Sequence, residues 1–153
     1  MNVQSLAFAA ALVAASAGAL AVLPAGAQNL DVIKQRQEAM KNIGGAAKAA
    51  GQMLKGEVAF DAAKAAAVFT VMASNAKEFG THFPEDSKTG GKTEAAPAIW
   101  TKPEEFKAEL AKFEGDIAAA AATKPESLDA FKPAFASVAQ NCKGCHEEFR
   151  VDN

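Results

Sequence analysis

The sequence contains no tyrosine, one tryptophan and only 7% aromatic residues, although half of its 153 residues are apolar. Alanine is the main apolar residue, and alanine favours helices whereas β-branched and aromatic residues favour sheets. Two cysteines are too few for a fold held together by several disulfides. Six prolines and eleven glycines exclude a collagen-like or low-complexity chain. We therefore expect one all-α domain.

An excess of positive charge is also missing. Sixteen Lys and Arg stand against eighteen Asp and Glu, for a net charge of -2. A dedicated nucleic-acid-binding protein would show a basic excess, so no nucleic-acid partner is expected. Such a small net charge gives little long-range steering, and it does not indicate the charge of a protein partner.

The first 27 residues contain no charged side chain. An apolar stretch over residues 6–23 ends at Pro24, and a small-x-small sequence, Ala25-Gly26-Ala27, follows it. This pattern predicts a cleaved secretory signal peptide over 1–27 and a mature domain over 28–153 in the periplasm. The alternative is an uncleaved membrane anchor, because the stretch is about long enough to span a bilayer. No other membrane segment is expected.

Beyond residue 28, apolar residues recur at steps of three and four in four segments, which predicts four amphipathic helices. Thr101-x-x-Glu104 is a capping-box pattern for the third helix, and either Thr123 or Ser127 could begin the fourth. Pro133 should kink that fourth helix or delay its start. Between the second and third segments, residues 80–102 are predicted to be a loop. Four such helices fold most simply as an antiparallel bundle. The predicted core positions are Leu30, Ile33, Gln37, Met40, Gly44, Ala47, Gly51 and Leu54; Ala62, Ala65, Phe69, Met72, Ala76 and Phe79; Phe106, Leu110, Phe113, Ile117 and Ala120; and Leu128, Phe131, Phe135, Val138, Cys142, Cys145 and Phe149.

Very small residues interrupt the predicted core face of the first helix. Gly44, Ala47 and Gly51 lie on this face, although glycine weakens a helix by about 1 kcal/mol relative to alanine. Two explanations are open. Either another helix approaches closely there, or a large flat prosthetic group lies against that face.

The motif Cys142-Lys143-Gly144-Cys145-His146 is the strongest chemical signal in the chain. On a helix, positions i and i+3 share a face, so both thiols could form thioethers with haem vinyl groups. The histidine that follows could bind the haem iron. Three alternatives compete: a redox dithiol, which would want a βαβ setting; a local disulfide; and a zinc site, for which His82 is the one other histidine.

With these features the chain resembles the class II c-type cytochromes, which are the cytochromes c′ and cytochromes c-556. The resemblance covers essentially all of 28–153 and implies an up-down four-helix bundle, of which cytochrome c′ is a known example. It also implies one covalent haem c, attached at Cys142 and Cys145 with His146 as the proximal iron ligand, and a homodimer formed through the first two helices. The residues that carry it are Arg36-Gln37-Glu38-Ala39-Met40, Phe83-Pro84, Pro97-Ala98-Ile99-Trp100 and Cys142 to Arg150.

The resemblance places Met40 at the distal position of the haem. In c-556 proteins a methionine there binds iron and gives a six-coordinate, low-spin electron carrier. In c′ proteins the residue there packs over the iron, which stays five-coordinate and can bind nitric oxide or carbon monoxide. Met40 fits either type, and it could also be ordinary core packing.

The two arginines of the sequence bear on this choice. Arg36 lies four residues before Met40, and Arg150 lies four residues after His146, so each shares a helix face with an iron-facing residue. By resemblance, Arg36 corresponds to the cytochrome c′ residue near a haem propionate and Arg150 to the basic residue on the proximal side. The alternative is that both are surface residues. The first arginine favours c′.

The other pocket residues that we predict are Gln37 and Phe83, although an aromatic residue can be plain core. The expected function is a haem protein rather than an enzyme. It would transfer electrons to an unidentified redox partner, or bind a diatomic gas, or do both. The six-coordinate c-556 carrier is the alternative. A peroxidase is less suitable, because Arg36 beside a propionate would not handle peroxide protons.

Overall fold

The computed structural model describes residues 29–151, so the predicted signal peptide over 1–27 lies outside the described residues. In this part of the chain the regular elements are helical, apart from an isolated antiparallel bridge between Ala95 and Arg150. The helices are α1 (Leu30–Leu54), α2 (Ala62–Phe79), α3 (Ala98–Thr101), α4 (Pro103–Ala122) and α5 (Leu128–Phe149), with a 3₁₀ turn at Glu85–Ser87.

The four long helices confirm the predicted helical segments. Helix α1 packs against α2 and α5, and α4 packs against α2 and α5. Short connections make α1 antiparallel to α2 and α4 antiparallel to α5, and these two pairs pack together as a four-helix bundle. Gly56, in the turn between α1 and α2, has a positive φ of 72°, a conformation that glycine adopts without steric cost.

Polar side chains begin three of the long helices. The side-chain oxygens of Asn29, Asp61 and Ser127 accept hydrogen bonds from backbone N–H groups in the first turns of α1, α2 and α5. Ser127 is therefore the start of α5, as one of the two predicted alternatives. Pro133 does not delay that start, because α5 already begins at Leu128 and contains the proline.

The predicted capping box at Thr101 is wrong. Thr101 ends the short helix α3, and its hydroxyl donates to the Pro97 carbonyl at 3.4 Å. Helix α4 starts at Pro103, which occupies its first position without a side-chain cap from Lys102. A proline is preorganised for this position and disfavours helical backbone in the residue before it, so Pro103 separates α3 from α4. The predicted loop over 80–102 therefore contains α3 and the 3₁₀ turn.

The predicted core face of α1 is also wrong, by about one residue. Of the eight positions predicted, Ile33 is buried, whereas Leu30, Gln37 and Gly44 are exposed. Arg36 belongs to the true buried face, with only 3% of its surface exposed. Because arginine is almost never buried, a hydrophobic pattern assigns Arg36 to the solvent-exposed face of the helix. The buried positions of α1 are Ile33, Arg36, Ala39, Ile43, Ala46, Ala50 and Met53.

The core has two parts. The larger cluster fills one end of the bundle with side chains from all four long helices, and Phe69 and Phe131 lie at its centre. The smaller cluster is aromatic, and it joins Ile99, Phe106 and Phe149 at the opposite end. The candidate functional site lies at this second end.

Candidate functional site

A cavity of about 500 Å³ opens between the helices at the end of the bundle that carries the aromatic cluster. Its walls are mainly apolar, and its volume is in the range of small-molecule and cofactor sites. All eight residues predicted to form the site line this cavity. They are Arg36, Gln37, Met40, Phe83, Cys142, Cys145, His146 and Arg150.

The last turns of α5 present the motif to this cavity. Cys142, Cys145 and His146 all line it, because i and i+3 share a helix face and the histidine follows directly. Both cysteines are free thiols, so the local disulfide alternative does not describe this structure.

Burial decides the protonation of the three side chains. It raises the pKa of the Cys142 thiol, and together with the nearby charges of Glu109 and Cys142 it raises the pKa of Cys145 to about 11. Burial, followed by the positive charge of Arg150, lowers the pKa of His146, while Glu94 acts in the opposite direction. At neutral pH the site therefore presents two protonated thiols and a neutral imidazole. The neutral imidazole is the form of histidine that binds a metal.

These properties argue against two of the alternatives. A reactive redox cysteine has a lowered thiol pKa, whereas both pKa values here are raised. Within residues 29–151, no group of three or more His, Cys, Asp or Glu side chains is arranged to hold a metal ion. The second histidine, His82, does not line the cavity. Its side chain is mostly buried, with only 13% of its surface exposed.

Helix α1 supplies the wall that contains Met40. Half of the positions predicted as its core face line the cavity instead, namely Gln37, Met40, Gly44 and Ala47. A methyl group added at Gly44 would meet no heavy atom within 4 Å, and the same holds at Gly51. The small residues therefore do not mark close contact with another helix. At Gly44 and Ala47 they leave room in the cavity.

Arg36 is a buried cation that holds the loop between α2 and α3. Its Nη1 donates to the His82 carbonyl at 3.1 Å and to Ser87 Oγ at 2.9 Å. Its Nη2 donates to the Ser87 carbonyl at 2.7 Å and to Thr93 Oγ1 at 2.6 Å. The guanidinium also lies over the Phe83 ring, 5.0 Å from its centroid. Burial lowers its pKa, and among the described residues it forms no ion pair with a carboxylate.

Gln37 and Phe83 tie the same loop to the cavity. The Gln37 amide donates to the carbonyls of Gly91 and Lys92 at 3.1 and 3.2 Å. Phe83 packs edge-on against Phe106 with ring centroids 4.9 Å apart. The Trp100 indole N–H donates to the Phe83 carbonyl at 3.0 Å, which makes the tryptophan a loop anchor.

Arg150 closes the other side of the cavity, one turn beyond His146. Its Nε donates to Glu94 Oε2 at 2.7 Å. We did not predict a role for Glu94, because it lies far from the motif in sequence. Its position in the loop gave no pattern to recognise.

Asn141 is a second residue that sequence reasoning missed. It is 6% exposed, lines the cavity and directly precedes the first cysteine of the motif. Its Nδ2 donates to Asp116 at 2.8 Å, and its Oδ1 accepts from Lys112 at 2.7 Å. This network joins α4 to α5 beside the thiols. The only signal in the sequence was a polar residue three positions after Val138 on a buried face.

The sequence model of the family described as Cytochrome C′ matches residues 31–150. The chain belongs to the cytochrome c′ family. A curated cytochrome c′ from Rhodopseudomonas palustris is 39% identical over 121 residues, which are 79% of this chain and 82% of that protein. A cytochrome c-556 from Agrobacterium fabrum is 38% identical over 119 residues, which are 78% of this chain and 80% of that protein.

The fold agrees with this membership. The solved structure of cytochrome c′ from Rhodopseudomonas palustris matches with a TM-score of 0.76 at 38% identity, covering 80% of this chain and 98% of that one. Proteins of the cytochrome c′ family are haem proteins. Both c′ and c-556 proteins are similar to the chain at nearly equal identity.

Proposed function

We propose that this chain is an exported c-type cytochrome of the c′ kind, which holds one haem c in the cavity. It would transfer electrons, bind nitric oxide or carbon monoxide, or do both. One observation carries the proposal: both thiols of the motif and the imidazole that follows them line one apolar cavity, with Met40 on another wall. When bound, haem supplies the one-electron chemistry of iron and, where an axial position is open, the binding of a diatomic gas.

The residues of the cavity fit this group. Cys142 and Cys145 would hold it through thioethers, and neutral His146 would be the proximal ligand. The apolar walls would exclude water, which raises the reduction potential and admits apolar gases. Gly44 and Ala47 would leave space for the macrocycle on the side of α1.

Arg36 provides an independent test of the fit. A buried charge without a counter-charge is costly, and the hydrogen-bond acceptors of this guanidinium are four neutral oxygens. An acidic group is therefore favoured in the adjoining cavity. The haem propionates are such groups, and a guanidinium fork suits a carboxylate. Four of its five N–H groups are engaged, so Nε–H is the donor that remains for a propionate.

Gas binding is the function that an open sixth position allows. A solved structure of cytochrome c′ from Alcaligenes xylosoxidans, 27% identical to this chain with a TM-score of 0.73, is a nitric oxide complex of a mutant of that protein. In this chain Met40 packs against the apolar cluster of the bundle. We propose that it covers the distal face without binding iron.

The second candidate is the six-coordinate electron carrier of the c-556 type. Met40 favours it, because this thioether lines the same cavity as His146. Methionine–histidine ligation would raise the reduction potential and close the iron to gases.

Haem attachment is tested by producing the full chain in a bacterium that exports it and attaches haem outside the cytoplasm. We expect a haem that stays on the polypeptide after denaturation and acid extraction. The double variant Cys142→Ser/Cys145→Ser should carry no covalent haem, while Lys143→Ala, between the two cysteines, should carry as much as the wild type. A wild-type protein without covalent haem would refute the proposal.

Mass analysis of the exported protein also tests cleavage after residue 27. Between residues 29 and 151, no helix is long and apolar enough to cross a membrane.

We also propose a homodimer formed through α1 and α2. Val71 on α2 and Val58 in the connection between α1 and α2 are large apolar side chains, each 38% exposed, and they border a shallow cavity between the two helices. Replacing Val71 by Glu should convert a dimer into a monomer in sedimentation experiments. Lys132→Glu, on α5 in the other pair of helices, should leave the dimer intact. A monomeric wild-type protein would refute the homodimer.

A further inference from the structure

The two arginines of the sequence hold neighbouring residues of one loop. Arg36, on α1, donates to Thr93 Oγ1 at 2.6 Å, and Arg150, just after α5, donates to Glu94 at 2.7 Å. Since Arg36 lies on the Met40 side of the cavity and Arg150 on the His146 side, the loop connects the two sides.

Backbone hydrogen bonds fix Glu94 in this place. Val151 N–H donates to the Glu94 carbonyl at 2.9 Å, and Ala96 N–H donates to the Phe149 carbonyl at 3.0 Å. These bonds flank the isolated antiparallel bridge between Ala95 and Arg150. Glu94 is therefore attached both to the end of α5 and, through Thr93, to α1.

The ion pair lies at the wall of the cavity. Glu94 and Arg150 both line it together with His146, and their side chains are 46% and 42% exposed. The Arg150 backbone N–H also donates to the His146 carbonyl at 3.3 Å. A guanidinium placed one turn from the proposed iron ligand would stabilise the reduced iron, because its positive charge attracts the added electron.

We propose that Glu94 is a positioning residue, which holds the Arg150 guanidinium beside His146, and that the negative charge of its carboxylate lowers the reduction potential of the haem iron. The Arg150 backbone stays bound to the His146 carbonyl, so a released guanidinium remains near the iron and the loss of the carboxylate charge dominates in Glu94→Gln. This inference rests on the proposed haem attachment. The reaction concerned is the transfer of one electron from an electrode or redox partner to ferric iron. No bond in the protein forms or breaks.

The first measurement addresses the position of Arg150. Because the sequence has two arginines, an NMR spectrum of the arginine Nε–H groups should contain two signals. In the reduced, carbon monoxide-treated protein, Glu94→Gln should make the Arg150 signal mobile, while the Arg36 signal serves as the internal control. The matched variant is Glu148→Gln, which removes a carboxylate that pairs with Lys102 at 2.6 Å outside the cavity. It should leave both signals unchanged.

The second measurement addresses the iron. At a fixed electrode potential near the midpoint, Glu94→Gln should raise the ferrous-to-ferric ratio roughly two- to fivefold, the size typical of half-exposed charges. Arg150→Gln should lower the ratio, and Glu148→Gln should change it far less than Glu94→Gln. Since half-exposed charges are partly screened, the shift should shrink as salt is added.

Two results would overturn the inference while leaving haem attachment intact. One is an unchanged Arg150 signal in Glu94→Gln. The other is an equal shift of the ferrous-to-ferric ratio in Glu94→Gln and Glu148→Gln. A wild-type protein without covalent haem would instead refute the proposed function, and the Nε–H comparison would still decide whether Glu94 holds Arg150.

Discussion

The two ends of the bundle are built from the same four long helices, yet one is closed around the larger cluster, apart from a shallow surface cavity, and the other contains the cavity of the candidate site. At the closed end, Phe69 and Phe131 meet with ring centroids 5.6 Å apart and are 1% and 0% exposed. At the cavity end, Gly44 on α1 faces open space. Along α1 the difference lies in side-chain size, because Gly44 and Ala47 line the cavity. Stability is therefore expected to reside at the closed end and ligand binding at the other.

The largest effect is expected from the closed end. Phe131→Ala should lower the free energy of unfolding by about 3–5 kcal/mol, because it leaves a cavity among fully packed rings. The matched change at the other end is Phe79→Ala, which removes a half-buried ring that packs against the smaller cluster and lines the cavity. In urea titrations of protein without haem, the second loss should be less than half of the first. Equal losses would contradict the division into two ends.

An intermediate effect is expected from Arg36→Met, which removes the guanidinium and keeps an apolar stem. The carbonyls of His82 and Ser87 lose their donors, so the free energy of unfolding should fall by about 2–4 kcal/mol. Arg36→Lys should lower the free energy of unfolding less, since the lysine ammonium can still donate to some of these acceptors. The measurement is urea titration of both variants. If Arg36→Met is as stable as the wild type, the guanidinium does not hold the loop.

The smallest effect separates the two ends most clearly. Without haem, Gly44→Ala should raise the free energy of unfolding by about 0.5–1 kcal/mol, because alanine is the better helix former and the new methyl meets nothing. With haem attached, the gain should vanish or reverse, since the methyl would enter the cavity. Gly115→Ala, at an equally open position of α4 away from the cavity, should give the same gain in both forms. Thermal unfolding of the wild type and both variants, each with and without haem, tests this, and equal gains for Gly44→Ala in both forms would contradict it.

The sequence was sufficient for the parts of the fold that depend on local pattern. The periodicity predicted the four long helices, and the spacing of Cys142, Cys145 and His146 predicted that they share one wall. Family resemblance supplied Met40, Arg36 and Arg150, which periodicity alone could not have brought to the same cavity.

The errors have physical causes that lie outside local pattern. The core face of α1 was misplaced because Arg36 is buried by four hydrogen bonds to a distant loop, and no pattern of apolar residues contains that information. The start of α4 was misplaced because Pro103 outweighs the Thr101 capping pattern. Glu94 was missed because its partner, Arg150, is 56 residues away in the chain.

The most direct test of the central claim is the absorption spectrum of the purified haem-containing protein, ferric and ferrous, with and without carbon monoxide. A haem in the cavity with Met40 packed over an open sixth position predicts a high-spin ferrous spectrum that shifts when carbon monoxide is added. Met40→Leu should then leave the ferrous spectrum essentially unchanged. A sharp low-spin ferrous spectrum that does not respond to carbon monoxide, and that becomes high-spin in Met40→Leu, would contradict this claim. It would identify Met40 as an iron ligand and the protein as a six-coordinate electron carrier.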